Sequence, residues 1–267
     1  MIRELGHPLA ALDAVLDWNL FQPVLDRIPC AEPKGPGGRP AYPPLPLFKI
    51  LVRQTSYGLG DEQTQFQILD RRGFSNFLGL TEADQVPDQN TIREFREKLT
   101  RADLFSELFN AFNTRLTEQG FIARKGQIID ASFVEVTAAS THDSQVLDSL
   151  TQPGDPETWA DSAYTGEPCA AIFEAKGITA HVCEKGTRGH PLSKGQERSN
   201  RSKSRKRVRV EHIFGYMTGS MRAMYQRVIG FARNRAGILL ANLVYNMSRV
   251  EQIIRLKLLG RRTPKLV

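Results

Sequence analysis

Gly126-Gln127-Ile128-Ile129-Asp130-Ala131-Ser132-Phe133-Val134 is where the chain changes its period. From Pro46 to Gln119, apolar residues recur every three or four positions, the spacing of one helix face. At Ile128-Ile129 that spacing gives way to a β-branched pair running into Asp130, with Phe133, Val134 and Val136 beyond, which predicts a buried strand. Downstream, Val146, Leu147 and Leu150 mark a short helix over 142–150 behind a Thr141 cap. Trp159-Ala160 reads as a brief strand before Asp161, and Ile178 to Val182 as another. Strands alternating with helices predict an α/β unit with parallel strands.

Upstream, residues 1–28 read as one opening helix carrying Leu9, Leu12, Val15, Leu16 and Leu20. Residues 29–46 hold seven prolines, so they form a linker or extended arm. Helices then follow in close order: one from Leu47 to about Gly58, one capped by Asp61, a short Phe74–Leu78 piece, one capped by Asp88 and one started by Asp103. Short helices with tight turns suit a helix-turn-helix-like module. Arg93 and Arg96 stand three apart on the helix behind Asp88, with Lys98 near; that face is either solvated or a DNA contact. The last long helix, about 231–258, carries Leu239, Leu243, Met247, Val250 and Ile254 on one stripe. The division expected is a helical module over 1–120, with the arm at 29–46, and a second domain over 121–267.

The charge is unevenly placed. Residues 185–209 hold ten Lys/Arg against Glu197 alone, so this tract carries +9 of a chain whose total is +7. Such a tract points to a polyanion, with nucleic acid the usual candidate, although many such runs are merely solvated. No apolar stretch is long enough to span a membrane, and no signal-peptide pattern opens the chain. Cys30, Cys169 and Cys183 lack any CxxC spacing, and His190 and His212 lack zinc-ligand spacing, so reduced thiols in a cytoplasmic protein are expected.

Three carboxylates carry the chemistry. Asp130 and Asp161 each end a short apolar run, and Glu211 lies in Arg207-Val-Arg-Val-Glu-His-Ile-Phe-Gly215. An Asp at a strand end caps a helix, forms an ion pair or binds metal. Two of them on neighbouring parallel strands converge on one rim, where open α/β sheets bind ligands. On a helix running to Met224, Val210, Ile213, Phe214, Met217, Met221 and Met224 form the apolar face, and Arg207, Glu211, Thr218 and Arg222 line its border. The alternative for Glu211 is an i,i+4 pair with Arg207. If the three meet, they suit two divalent cations roughly 4 Å apart, with the basic tract neutralising phosphates along the same duplex.

Five ordered segments carry a resemblance: Val86-Pro-Asp-Gln-Asn-Thr-Ile-Arg-Glu-Phe-Arg96, Ile129-Asp-Ala-Ser-Phe-Val134, His142-Asp-Ser-Gln-Val146, Ala160-Asp-Ser-Ala-Tyr-Thr-Gly166 and Arg209-Val-Glu-His-Ile-Phe-Gly215. They resemble bacterial insertion-sequence transposases of the IS-five, DDE type, from about residue 40 to 250. The resemblance implies an α+β or α/β chain: an N-terminal helical DNA-binding module, then an RNase H-like core with long C-terminal helices. It implies Asp130, Asp161 and Glu211 as the catalytic and metal-binding triad, Mg²⁺ or Mn²⁺ as the two ions, and cleavage with strand transfer at insertion-sequence ends. The partners implied are double-stranded DNA, both terminal inverted repeats and target, and further copies of the chain on that DNA. The location implied is the cytoplasm, at the nucleoid. Arg93, Arg96, Arg198, Arg201, Lys203, Arg205, Lys206, Arg207, Arg209 and Arg222 are the DNA-binding residues expected.

Two features depart from that family. Thr218 stands where the family places a Lys seven residues after the Glu, and Arg222 is the candidate to replace it. Only 30 positions lie between Asp130 and Asp161, whereas two further strands, a helix and their turns need about 40. The chain therefore reads as a truncated RNase H-like core missing a hairpin near 131–140, which would leave the Asp130 strand as an exposed edge. Two functions follow from this: an active Mg²⁺-dependent transposase, or a catalytically impaired DNA-binding derivative acting as inhibitor or remnant.

Overall fold

The opening segment breaks where Asp17 competes with the helix. In the computed structural model, α1 (Pro8–Val15) stops, and the Asp17 carboxylate accepts the Asn19 amide at 3.1 Å to cap one 3-10 turn over Trp18–Phe21 before α2 (Gln22–Leu25). One continuous helix over 1–28 was expected, but a local Asp turn outbids helix propagation here. The break also turns Trp18 and Phe21 into the core. The structure describes residues 8–29, 41–81, 83–121, 127–128, 143–151, 157–223, 225 and 228–256, with backbone alone for 8–10, 127–128, 143–144 and 209–211.

Pro44 begins α3 (Pro44–Tyr57) rather than ending the arm, so the expected arm stops at Pro43. Proline is tolerated in a first turn, where no intrahelical amide is needed. Gly58 ends α3 in the left-handed region at φ 59, and a Cβ there would stand 2.8 Å from the Met221 carbonyl oxygen. Next come α4 (Asp61–Asp70), α5 (Arg72–Leu78), α6 (Gln89–Arg101) and α7 (Leu104–Glu118). Asp88 caps α6 as expected, accepting the Thr91 amide at 2.7 Å. Asp61 is the first residue of α4 rather than its cap, since Gly60 precedes it. Asp103 makes no side-chain cap on α7; its backbone is left-handed at φ 51.

Two compact units divide the chain. The first holds residues 1–122 and 220–267, so the last helix, α11 (Phe231–Arg255), packs on α7, α3, α1 and α6. Its stripe of Ala236, Leu240, Leu243, Val244, Met247 and Val250 is buried. Phe21, Phe48, Phe105 and Phe112 lie fully buried in this unit, with Phe21 and Phe48 ring centres 5.0 Å apart. The expected division at residue 120 and the division into compact units thus differ over 220–267. Arg53 is buried over the Phe77 ring, 4.2 Å from its centre, and this desolvation pushes its pKa down to about 10.

The second unit, residues 123–219, contains a parallel sheet in the order β1 (Gln127–Ile128), β2 (Glu157–Ala160), β3 (Thr179–Val182). The parallel strands and interleaved helices bear out the α+β expectation. α8 (Leu147–Leu150) precedes β2, and α9 (Glu167–Ala175) connects β2 to β3. Leu147, Ala160, Tyr164, Cys169, Phe173 and Ile178 form one buried cluster. The Lys176 ammonium closes the C-terminal end of α8, donating to the Thr151 carbonyl at 2.7 Å and pairing with Asp148 Oδ1 at 2.8 Å. α10 (Lys194–Gly219) packs on β2. It ends at Gly219, short of the expected Met224, and Arg222 then adopts φ 49. Gly215, Gly219 and Ser220 supply little helix propensity at that end.

Candidate nucleic-acid interface and carboxylate centre

The parallel strands bring one edge of the sheet together at their C-terminal ends. Ala160 pairs with Val182, and the Cys183 amide donates to the Ala160 carbonyl at 3.1 Å, so Asp161 and Cys183 leave the sheet side by side. Asp161 then caps a 3-10 turn over Ser162–Tyr164, its Oδ1 accepting the Ala163 amide at 2.8 Å. That bond orients the carboxylate. Its Oδ2 lies 4.0 Å from the Arg207 guanidinium, and the side chain stays 36% exposed, which leaves room for a further ligand.

α10 crosses the same edge. Lys203, one turn before Arg207, donates to the Val182 carbonyl at 2.7 Å. Lys206 sits over the Trp159 ring, 4.1 Å from its centre, and His181 stacks on that ring at 4.9 Å and 14°. These contacts tie α10 to β2 and β3 through cations rather than through an apolar ridge. Glu211 is a helical residue one turn beyond Arg207. Asp130 lies outside the described residues, as does the segment 131–140 expected to lack a hairpin.

The basic tract separates into two faces. Lys203 and Arg207 are half-buried against the sheet edge, whereas Lys194, Arg198, Arg201 and Arg205 are exposed. Those four recur every three or four residues, so they form one stripe about 16 Å long on the opposite side of the helix. Arg209 is helical, and only its backbone is described. Arg222 is exposed and off the helix, so it does not continue the Arg207–Thr218 border as expected, because the helix has already ended.

In the helical unit, Arg93 is exposed and donates to Asn90 Oδ1 at 3.1 Å on its own helix. Arg96 instead reaches Asp61 Oδ1 and lies 3.4 Å from Gln54 Oε1, joining α6 to α4 and α3. Arg233 forms two hydrogen bonds with Glu97, at 2.8 and 3.1 Å, which hold the Glu97 carboxyl below its ordinary range. Sequence reading had no access to the Lys206–Trp159–His181 stack or to Lys176. The available signal was that Lys203 and Arg207 share a helical face with each other and not with Arg198 and Arg201.

Divalent cations need hard oxygen donors. The Asp161 carboxylate fits that need: it stands at a strand end, is oriented by an amide and is partly open to solvent. Among the described residues, no three ligating side chains gather at one point.

Residues 1–98 match the family described as Transposase domain (DUF772), and residues 121–247 match Transposase DDE domain. No solved structure matches the chain. No described helix is long and apolar enough to cross a membrane.

Proposed function

We propose, from the matches of residues 1–98 to a transposase domain and of residues 121–247 to a transposase DDE domain, that this chain is a DNA transposase of the insertion-sequence type, with Asp130, Asp161 and Glu211 as its catalytic carboxylates. The observation that carries this is Asp161 leaving β2 at the sheet edge that α10 crosses, with Arg207 at 4.0 Å. The parallel register sets Ile128 beside Trp159; Asp130 follows the one by two residues, and Asp161 follows the other by two. Neighbouring strands are about 4.8 Å apart, so a strand continued in that register would bring the two carboxylates within reach of a shared centre.

Asp130, Asp161 and Glu211 would hold the divalent cations, Mg²⁺ or Mn²⁺. When bound, such ions lower the pKa of the attacking water or 3′-hydroxyl and stabilise the leaving oxygen. The Ala163 amide, donating to Oδ1, orients the Asp161 carboxylate. Arg207 offsets the local excess of negative charge, and Lys203 fixes the height of α10 on the sheet. The outward stripe of Lys194, Arg198, Arg201 and Arg205 tracks the phosphates of the terminal repeats or of target DNA, making binding salt-dependent. Arg93 on α6 is the matching contact of the helical module. We place the chain in the IS-five type with a shortened core between Asp130 and Asp161, working as an oligomer on DNA at the nucleoid.

A nicking assay on duplexes from the ends of the element, with Mg²⁺ or Mn²⁺, tests this. Asp161→Asn keeps an oxygen for the Ala163 amide, so the variant stays folded and binds DNA, but cleavage is lost. Cleavage at the wild-type rate by Asp161→Asn would exclude the carboxylate mechanism. End binding by the wild-type protein without any cleavage would mark it as a DNA-binding derivative.

A further inference from the structure

Between β3 and α10 the chain makes a small hairpin whose use is not explained by the carboxylate centre. Thr187 and His190 form an antiparallel bridge, with the Thr187 amide donating to the His190 carbonyl at 3.0 Å and the reverse bond at 2.9 Å. Two residues, Arg188 and Gly189, make the tip, and Gly189 supplies the left-handed backbone at φ 91. Lys185, Arg188 and His190 are all exposed.

The base of this hairpin is held firmly. The Asn200 side chain on α10 accepts the Glu184 amide at 2.9 Å and donates to the Glu184 carbonyl at 2.9 Å. Gln196 donates to the Glu184 carboxylate, so that acid is engaged at the base of the hairpin. A Cβ at Gly186 would lie 3.3 Å from the Leu192 amide nitrogen, so the neck is closely packed. A basic tip on a fixed neck has little conformational entropy left to lose on binding.

Position supplies the second argument. The hairpin leaves the sheet at Cys183, beside Asp161. Five residues separate Cys183 from Arg188, a reach of at most about 18 Å, or roughly five base pairs at 3.4 Å each. The hairpin itself is too wide for a minor groove about 6 Å across, but the single long side chain of Arg188, projecting at a two-residue tip beside a glycine, is slender enough to enter one. A narrow groove concentrates negative potential, which draws in arginine.

We propose that the 184–192 hairpin is a DNA-reading element that places Arg188 in the minor groove within about five base pairs of the phosphate presented to Asp161. It rests on the transposase reading and adds a groove contact to it. The contact selects duplexes by groove width rather than by base sequence, and so biases where DNA seats against the carboxylates.

The test compares full-length wild type, Arg188→Ala, Arg188→Lys and Arg205→Ala by fluorescence anisotropy. The probes are two 30-base-pair duplexes, one containing an A-tract and one made of G·C pairs, across a salt series. Arg188→Ala is expected to weaken binding to the A-tract duplex about five- to tenfold, with a smaller effect on the G·C duplex. Arg188→Lys should fall between, and Arg205→Ala should weaken both duplexes equally. Thermal melts should be unchanged for all three, since these side chains are exposed. Equal loss on both duplexes for Arg188→Ala would reduce the tip to a phosphate contact and overturn groove reading, as would no loss at all. A wild-type protein that binds neither duplex would overturn groove reading here, whereas the transposase reading stands or falls separately on cleavage of duplexes from the ends of the element.

Discussion

Replacing Arg96 by alanine should act on stability before it acts on DNA. Its guanidinium meets the Asp61 carboxylate in the first turn of α4, and Gln54 donates to the same Asp61 oxygen at 2.6 Å. A charge-assisted hydrogen bond contributes about 1.5–3 kcal/mol net when buried. Here the two side chains are 29% and 25% exposed, so solvent screening brings the expectation to about 1–2 kcal/mol. Asp61 keeps Gln54 as a partner and its favourable place in the first turn of α4 after the change, which also holds the loss below that of an orphaned buried charge. For a unit of this size, each kcal/mol lowers the melting temperature by about 2–4 °C, so a fall of roughly 2–8 °C is expected. Arg93→Ala serves as the comparison: Arg93 is exposed and bonded only within its own helix, so stability should shift by less than about 0.5 kcal/mol. Differential scanning calorimetry on both variants, with Asp61→Asn and the Arg96/Asp61 double variant, gives the coupling between the partners. An Arg96→Ala melt within a degree of wild type, or additive effects of the two single changes, would refute the clamp and return Arg96 to the list of free cations available to DNA.

Lys176→Met should destabilise the sheet unit by about 1–3 kcal/mol, because the buried Thr151 loses its donor at the end of α8; urea titration followed by Trp159 fluorescence measures it, and an unchanged midpoint would discount the lysine closure. Glu97 has its folded pKa depressed chiefly by the hydrogen bond from Arg233. A depressed carboxylate stabilises fully above its unfolded pKa and loses that contribution as pH falls through the folded value. The advantage of wild type over Glu97→Gln should therefore be constant above about pH 5 and shrink below about pH 4.3, the unperturbed glutamate value. Melts at steps from pH 7 to pH 3 would reveal this, and a gap that widened in acid would contradict the assigned direction.

Elements whose ends carry their own chemistry were legible in the sequence. Asp88 announces α6, Gly58 closes α3, and the strands at 157–160 and 179–182 stand where Trp159-Ala160 and Ile178 to Val182 were read as strands, although Thr179 and Ala180 are exposed. Errors arose where local chemistry outweighed period. Asp17 broke a pattern that read as one helix, and Pro44 was counted with the prolines before it although it suits a first turn. The border stripe from Arg207 to Arg222 assumed a helix that Gly219 ends. For the site, the placement of Asp161 at a strand end was readable, because the apolar run stops there. That Arg96 is drawn to Asp61 and Arg207 lies near Asp161 depended on which helices meet, a tertiary fact that spacing along the chain does not encode.

The helical unit is assembled from two separated stretches of chain, with residues 123–219 between them. On the ribosome, the face that α11 will cover emerges long before α11 itself. At about 5–20 residues per second, roughly 100 intervening residues keep that apolar surface waiting for some 5–20 s. A nascent chain of this architecture is thus exposed to chaperone capture and to self-association during that interval. A fragment stopping near residue 120 lacks α11 and keeps the face it covers open to solvent, so it is expected to be less soluble than the full chain.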